Sequence, residues 1–343
     1  MKSYWLIKVF FCIGLMETLI ILAVYSQDIH FSQAYSAHLT LNPANTGRFN
    51  GDWRASGMYR SQGYQITDPY QTYYLSFEKP IYIKNEVINA GFFYSHDNSA
   101  GQTLPVERAY FMLGNEVKFN TNTFLSFGIQ AGFVFKQVIN SGLSLPDQYN
   151  RDLGRFDPTL PTGDQFENTS KSYLDLGFGL LLSHKFEKNI FSLGAAFHQV
   201  NKPTEGYFGI ETPLPIKMIY HAKADINLGT SFFVIPAIVT VLQQKSSETL
   251  IGGHLGYNLS SNTGNVRNVI GGLHLRNGIF SKAESVIVSS GLTYQFWTFL
   301  MSYDWDVSGL KTSSVKSSAI EFSMIYTLPS TNLTHRTVSC ERY

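Results

Sequence analysis

The chain has 343 residues, of which 44% are hydrophobic, 15% aromatic and 15% charged, against roughly 25% charge in an ordinary soluble domain. Lys and Arg total 26 and Asp and Glu 25, a formal net charge of +1, so there is no electrostatic footprint for nucleic acid, and the apolar content excludes a disordered chain. Two cysteines, Cys12 and Cys340, are too few for a zinc ribbon or a disulfide scaffold.

Residues 1–26 read as a cleaved signal peptide. Lys2 and Lys8 precede and enter an apolar stretch from Val9 to Val24, and Val24-Tyr25-Ser26 occupies the cleavage positions ahead of Gln27. A single membrane anchor is the rival reading, although the stretch is short and interrupted by Glu17. Residues 27–50 follow as a short polar segment, periplasmic or plug-like, ending in a Pro/Gly turn. Beyond residue 26 no apolar run reaches the length of a spanning helix.

From residue 51 to 328 the dominant signal is alternation with a period of two. In Thr123–Lys136, Leu125, Phe127, Ile129, Ala131, Phe133 and Phe135 share one face. Ser126, Gly128, Gln130, Gly132 and Lys136 share the other, because successive side chains of a strand point to opposite sides. The pattern predicts fourteen strands, near 52–60, 70–79, 87–96, 105–118, 123–136, 171–186, 190–200, 214–228, 231–243, 247–258, 266–275, 285–296, 298–306 and 315–328. Several exceed the length that crosses a bilayer at a tilt of about 45°. Connections after even-numbered strands are short, as at 119–122 and 187–189. Most of those after odd-numbered strands are longer, and 137–170 is the longest. That asymmetry is the habit of outer-membrane barrels, with long loops facing outside.

The expected fold is therefore all-β: a transmembrane antiparallel β-barrel of about fourteen strands in the outer membrane, followed by a polar tail, 329–343. A soluble β-sandwich also alternates, but it would carry more Lys, Glu and Asp on its wet faces. Pro236, inside a predicted strand, marks a bulge. Arg54, Arg60, Arg108, Lys136, Lys217, Lys223, Asp175, Asp225, Glu116 and Glu321 project to the expected lumen, as a filling ion-pair network or as selectivity rings. Trp53, Trp297, Trp305 and Tyr326 read as interfacial girdle residues.

Gln27, Asp28, Phe31, Ser32 and Gln33, followed by Asn42, Pro43, Ala44 and Gly47, resemble the start of the PorP/SprF family of the type IX secretion system. Tyr59, Arg60 and Gln62 match its first strand, and Ser302-Tyr303-Asp304 a late-strand element. The closing Cys340–Tyr343 is similar to the family's Cys-Pro-Arg-Phe ending, with Glu341 for Pro and Tyr343 for Phe. The resemblance implies a barrel of roughly fourteen strands with one of two kinds of partner. Some members associate with periplasmic components of the secretion machine. Others hold a secreted cargo, such as a gliding adhesin, by its type B C-terminal domain at the cell surface.

No HExxH, phosphate loop or GxSxG elbow occurs, so no enzyme, metal or organic cofactor is expected, and the nine His residues read as hydrogen-bonded lumen groups. The Asn42-Pro43-Ala44 turn is either an internal plug or a dock for periplasmic partners. Long loops are usually functional or disordered. Tyr149, Arg151, Arg155, Phe156, Phe166 and Tyr207 in loops 137–170 and 201–213 are of the residue types that anchor interfaces, and they form the expected cargo surface. A diffusion or uptake channel is the alternative; outer-membrane lipid surrounds the barrel in either case.

Overall fold

The computed structural model describes residues 30–63, 69–83, 86–99, 104–139, 146–157, 159–160, 169–205, 212–244, 246–259, 265–277, 283–307 and 318–330. The predicted signal peptide, Cys12, Gln27, Asp28, Phe166, Tyr207 and Cys340 lie outside the described residues. Among those described, no helix is long and apolar enough to cross a membrane; crossing is by strands.

Fourteen strands close into an antiparallel barrel. In chain order they are β1 (Trp53–Gln62), β2 (Tyr70–Ile83), β3 (Glu86–Ser99), β4 (Leu104–Lys118), β5 (Thr123–Val138), β8 (Thr169–Phe186), β9 (Asn189–His198), β12 (Lys217–Leu228), β13 (Phe232–Gln243), β14 (Ser246–Asn258), β15 (Val266–Asn277), β16 (Ala283–Tyr294), β17 (Trp297–Asp306) and β18 (Ala319–Leu328). Two miniature hairpins stand outside the wall, β6 (Tyr149–Asn150) with β7 (Arg155–Phe156) and β10 (Thr204–Glu205) with β11 (Thr212–Pro213). Each wall strand pairs with its sequence neighbour in the wall, and β1 closes the ring on β18 from Trp53↔Leu328 to Gln62↔Ala319. Closure removes the exposed edges that an open sheet would present.

Burial alternates along the strands as the sequence alternates, most cleanly through β5. Outward positions carry large apolar groups left bare: Leu75 is 61% exposed, Phe111 67%, Phe133 63% and Leu193 62%. An apolar surface continuous over so many strands is intolerable in water and suits a hydrocarbon surround. Ring contacts of Trp53 and Trp297 with Tyr326, at centroid distances of 5.0 and 4.6 Å, gather aromatics at the short-turn end.

The second strand, expected near 70–79, runs on to Ile83, with Pro80 opposite Asn89 of β3 although it has no N–H to donate. One expectation needs correction. Pro236 does not make a bulge. The β12–β13 register is continuous, but the pairing skips Ala224 and Asp225 between Lys223↔Ala237 and Ile226↔Val234. A missing donor opened the ladder there without inserting a residue.

Candidate functional site

The barrel interior is occupied by its own N-terminal segment. From Phe31 to Phe49 nearly every residue is buried; the stretch holds a short helix, α1 (His38–Leu41), and a 3-10 turn, Pro43–Asn45. Asn42 caps that turn, its Oδ1 accepting from the Ala44 N–H at 2.8 Å. Phe31 packs edge-on against Tyr74 of β2, centroids 5.8 Å apart.

Four carboxylates on the wall grip this segment. Glu321 of β18, 0% exposed, accepts from the backbone N–H groups of Ser32 (2.6 Å) and Gln33 (2.8 Å) and from the Arg60 guanidinium. Arg60 also reaches Asp304 of β17 at 3.2 Å and the Ser32 hydroxyl at 2.9 Å. Arg276 of β15 donates to the same Asp304 oxygen at 3.1 Å and to Ser32 at 2.7 Å, and Ser32 donates to Asp304 at 2.5 Å. The Gln33 amide donates to Ser302 at 3.2 Å. Glu78 of β2 accepts from Gly47 N–H and from Arg54 Nε, each at 2.9 Å, and lies 2.6 Å from His38 Nε2. Glu116 of β4 accepts from Arg48 at 2.7 Å, and Arg48 donates further to Ser126 and Ser183.

Asn42 donates across the wall to the carbonyls of Leu180 on β8 (3.0 Å) and Ala195 on β9 (3.4 Å) and lies 3.1 Å from His221 Nε2. The glycines of the inner faces make the room. A Cβ on Gly128 would overlap the Pro43 backbone, and one on Gly179 would overlap the Asn42 amide. Gly128→Leu is therefore expected to dislodge the turn and destabilise the folded barrel by about 1–3 kcal/mol, the usual range for overpacking. Gly271→Ala should be silent, since nothing lies within 4 Å of its Cβ position. Urea unfolding in lipid vesicles would compare the two.

Phe31, Ser32, Gln33, Asn42, Pro43, Ala44 and Gly47 thus face the barrel interior together, where Arg60, Ser302 and Asp304 meet them. Glu78, Arg48 and Arg276 take part in these contacts and escaped the sequence reading. For Glu78 and Arg276 the signal was an isolated charge on a strand face, whose partner cannot be named before the register is known; Arg48 lies in the internal segment, off the strands.

At the opposite extreme of exposure stands the β6–β7 hairpin, in the connection between β5 and β8. Tyr149 pairs with Phe156 and Asn150 with Arg155; the two rings meet edge-to-face at 5.2 Å. The Asn150 side chain accepts from the N–H groups of Asp152 and Leu153 at 3.0 and 3.1 Å, and Gly154 takes the positive φ, 61°, that ends the turn. Tyr149, Arg151, Leu153, Arg155 and Phe156 are all exposed. Beside them the Asp157 carboxyl lies below its ordinary pKa because the Thr159 hydroxyl and N–H donate to it. The β10–β11 hairpin extends from the same barrel end, and its Glu205 is fastened to Lys136 of β5 at 2.6 Å.

A family described as type IX secretion system membrane protein PorP/SprF matches residues 23–326. No curated protein is similar enough to match. Among solved structures, the chain is similar to the CymD monoaromatic hydrocarbon channel, with a TM-score of 0.52 and 12% identity over 87% of this chain and 94% of that one. It is similar also to a TodX deltaS2S3 mutant monoaromatic hydrocarbon channel, with a TM-score of 0.50 and 12% identity over 84% and 92%. At that identity the likeness speaks for the fold alone.

Proposed function

The chain belongs to the PorP/SprF family of type IX secretion system membrane proteins, and from that premise we propose that it is a non-enzymatic outer-membrane barrel that holds a secreted cargo at the cell surface. The cargo is a protein with a type B C-terminal domain, such as a gliding adhesin. The observation that carries the reading is the division of the molecule into a filled interior and a presented hairpin. The inner segment engages Arg60, Glu78, Glu116, Asp304 and Glu321 of the lumen and fills the space that a solute would need. The β6–β7 hairpin sets two aromatic rings and two guanidiniums on a structured tip, the residue types that dominate interface energetics. Phe166 and Tyr207 belong to the proposal by residue type and sequence position alone.

Joint replacement of Tyr149, Arg151, Arg155 and Phe156 by Ser tests it. At about 1–2 kcal/mol for each anchor, cargo retained on whole cells should fall at least tenfold while the barrel stays folded. Undiminished cargo on cells bearing that variant would refute the assignment. The alternative within the family is a structural component docking the periplasmic machinery. A diffusion channel is the reading from a different class, and it has in its favour only the shared barrel fold of the hydrocarbon channels.

A further inference from the structure

The interrupted ladder between β12 and β13 lies between two hollows, an apolar one outside and a mixed one inside. Both strands keep their other partners through the gap: Ala224 and Asp225 face Phe191 and Ile190 of β9, while Ile235 and Pro236 face His254 and Gly253 of β14. The opening is thus confined to one seam. On the outer face the seam is the floor of a groove of about 510 Å³, with Ala222, Ala224 and Pro236 low and Leu193, Ile238 and Ile251 as its sides. On the inner face lies a small cavity of about 30 Å³ bounded by Ala34, Val239 and Leu250 on its apolar side and by Gln33, His254 and His274 on its polar side, with Tyr35 at its edge. Lys223 and Ala237 line both hollows. Behind the inner cavity Ala34, Leu41, Ala196, Ile219, Val239, Leu250 and Ile287 form an apolar cluster with Tyr35 packed on it, a departure from the polar lumen elsewhere.

Tyr35 stands close to the gap. Its hydroxyl donates to the carbonyls of Ala222 on β12 (3.0 Å) and Ile238 on β13 (3.3 Å), a couple that is still paired, with Lys223↔Ala237 between it and the interruption. The Lys223 ammonium lies 5.5 Å from the centre of the Tyr35 ring, and the His221 ring meets it edge-on at 6.1 Å. A side chain of the internal segment thus clasps the two strands on the intact ladder just short of the interruption.

We propose that this seam is a lateral portal for one acyl chain of a surrounding lipid, and that Tyr35 is the side chain that closes it. Depth selects the occupant. The groove centres on the midpoints of β12 and β13, within the outward apolar band, where the adjoining matter is hydrocarbon and a headgroup does not reach. Small side chains on its floor let a chain approach the seam, and the apolar cluster behind Tyr35 receives its end. The inner cavity, with room for one or two water molecules, is the closed state; entry requires the Tyr35 ring to swing aside.

The test uses the full-length protein in phosphatidylethanolamine vesicles doped with a phospholipid carrying a diazirine at the end of one acyl chain. After illumination, adducts are mapped by mass spectrometry, and folding of each variant is verified by heat-modifiable gel migration. In the unaltered protein, adducts should gather at 222–224 and 236–238, several-fold above other outward-facing segments. Tyr35→Ala should add adducts on the inward-facing Val239 and Leu250, and adding Pro236→Thr, which restores the missing donor, should remove them. Adducts spread evenly around the barrel, or a folded Tyr35→Ala protein with no inward adducts, would overturn the portal. If Tyr35→Ala does not fold, Tyr35→Phe, which loses only the clasping hydroxyl, carries the same two expectations at lower yield.

Discussion

Replacing Glu321 with Ala should lower the stability of the folded barrel by about 3–5 kcal/mol, the cost of leaving one member of a buried charge pair without its partner. The loss has two parts. The Arg60 guanidinium keeps Asp304 but loses its hydrogen bond to Glu321. The backbone N–H groups of Ser32 and Gln33 lose the carboxylate that joins the internal segment to the wall, and a buried donor without an acceptor is expensive. A double variant separates them. Arg60→Met with Glu321→Leu removes both charges, so it should recover the charge penalty but not the tether. Urea unfolding in vesicles measures the first quantity, and trypsin cleavage after Arg48 reports release of the segment. Equal resistance of Glu321→Ala and the unaltered protein in both assays would show that the tether carries no weight.

Removal of residues 31–50 should convert the barrel from a poor conductor into an open pore. With the segment in place, Arg48, Asn42 and Ser32 span the lumen from wall to wall. Without it the inner faces of β5 and β8 present Gly128 and Gly179 to an empty bore. Water-filled barrels conduct, so single-channel conductance in a planar bilayer should rise by roughly tenfold or more on deletion, with a folded wall checked by heat-modifiable migration. Large, steady conductance from the unaltered protein would instead put the diffusion-channel reading first.

The wall was legible because two faces of each strand meet different solvents, and that requirement writes a period of two into the residues themselves. Leu125 to Phe135 and Ser126 to Lys136 announce β5 without any knowledge of its neighbours. The internal network was only half legible. Arg60 and Glu321 could be placed on inner faces, but their convergence with Asp304 on Ser32 depends on strand order and stagger, which link residues hundreds of positions apart. Glycines of the inner faces were visible as a composition bias, yet their purpose appears only when Pro43 and Asn42 are seated against Gly128 and Gly179. Tyr35 had no signal at all. A lone tyrosine in a polar stretch does not reveal that its hydroxyl will meet two carbonyls beside Pro236.

The central claim, that the barrel holds a cargo at the surface, is tested most directly by purifying the natively expressed, tagged protein from outer membranes in mild detergent and identifying what accompanies it by mass spectrometry. The account predicts a stoichiometric large surface protein retained through its C-terminal domain and lost when the β6–β7 tip is replaced. A barrel that emerges alone, or only with periplasmic components indifferent to that tip, would contradict it.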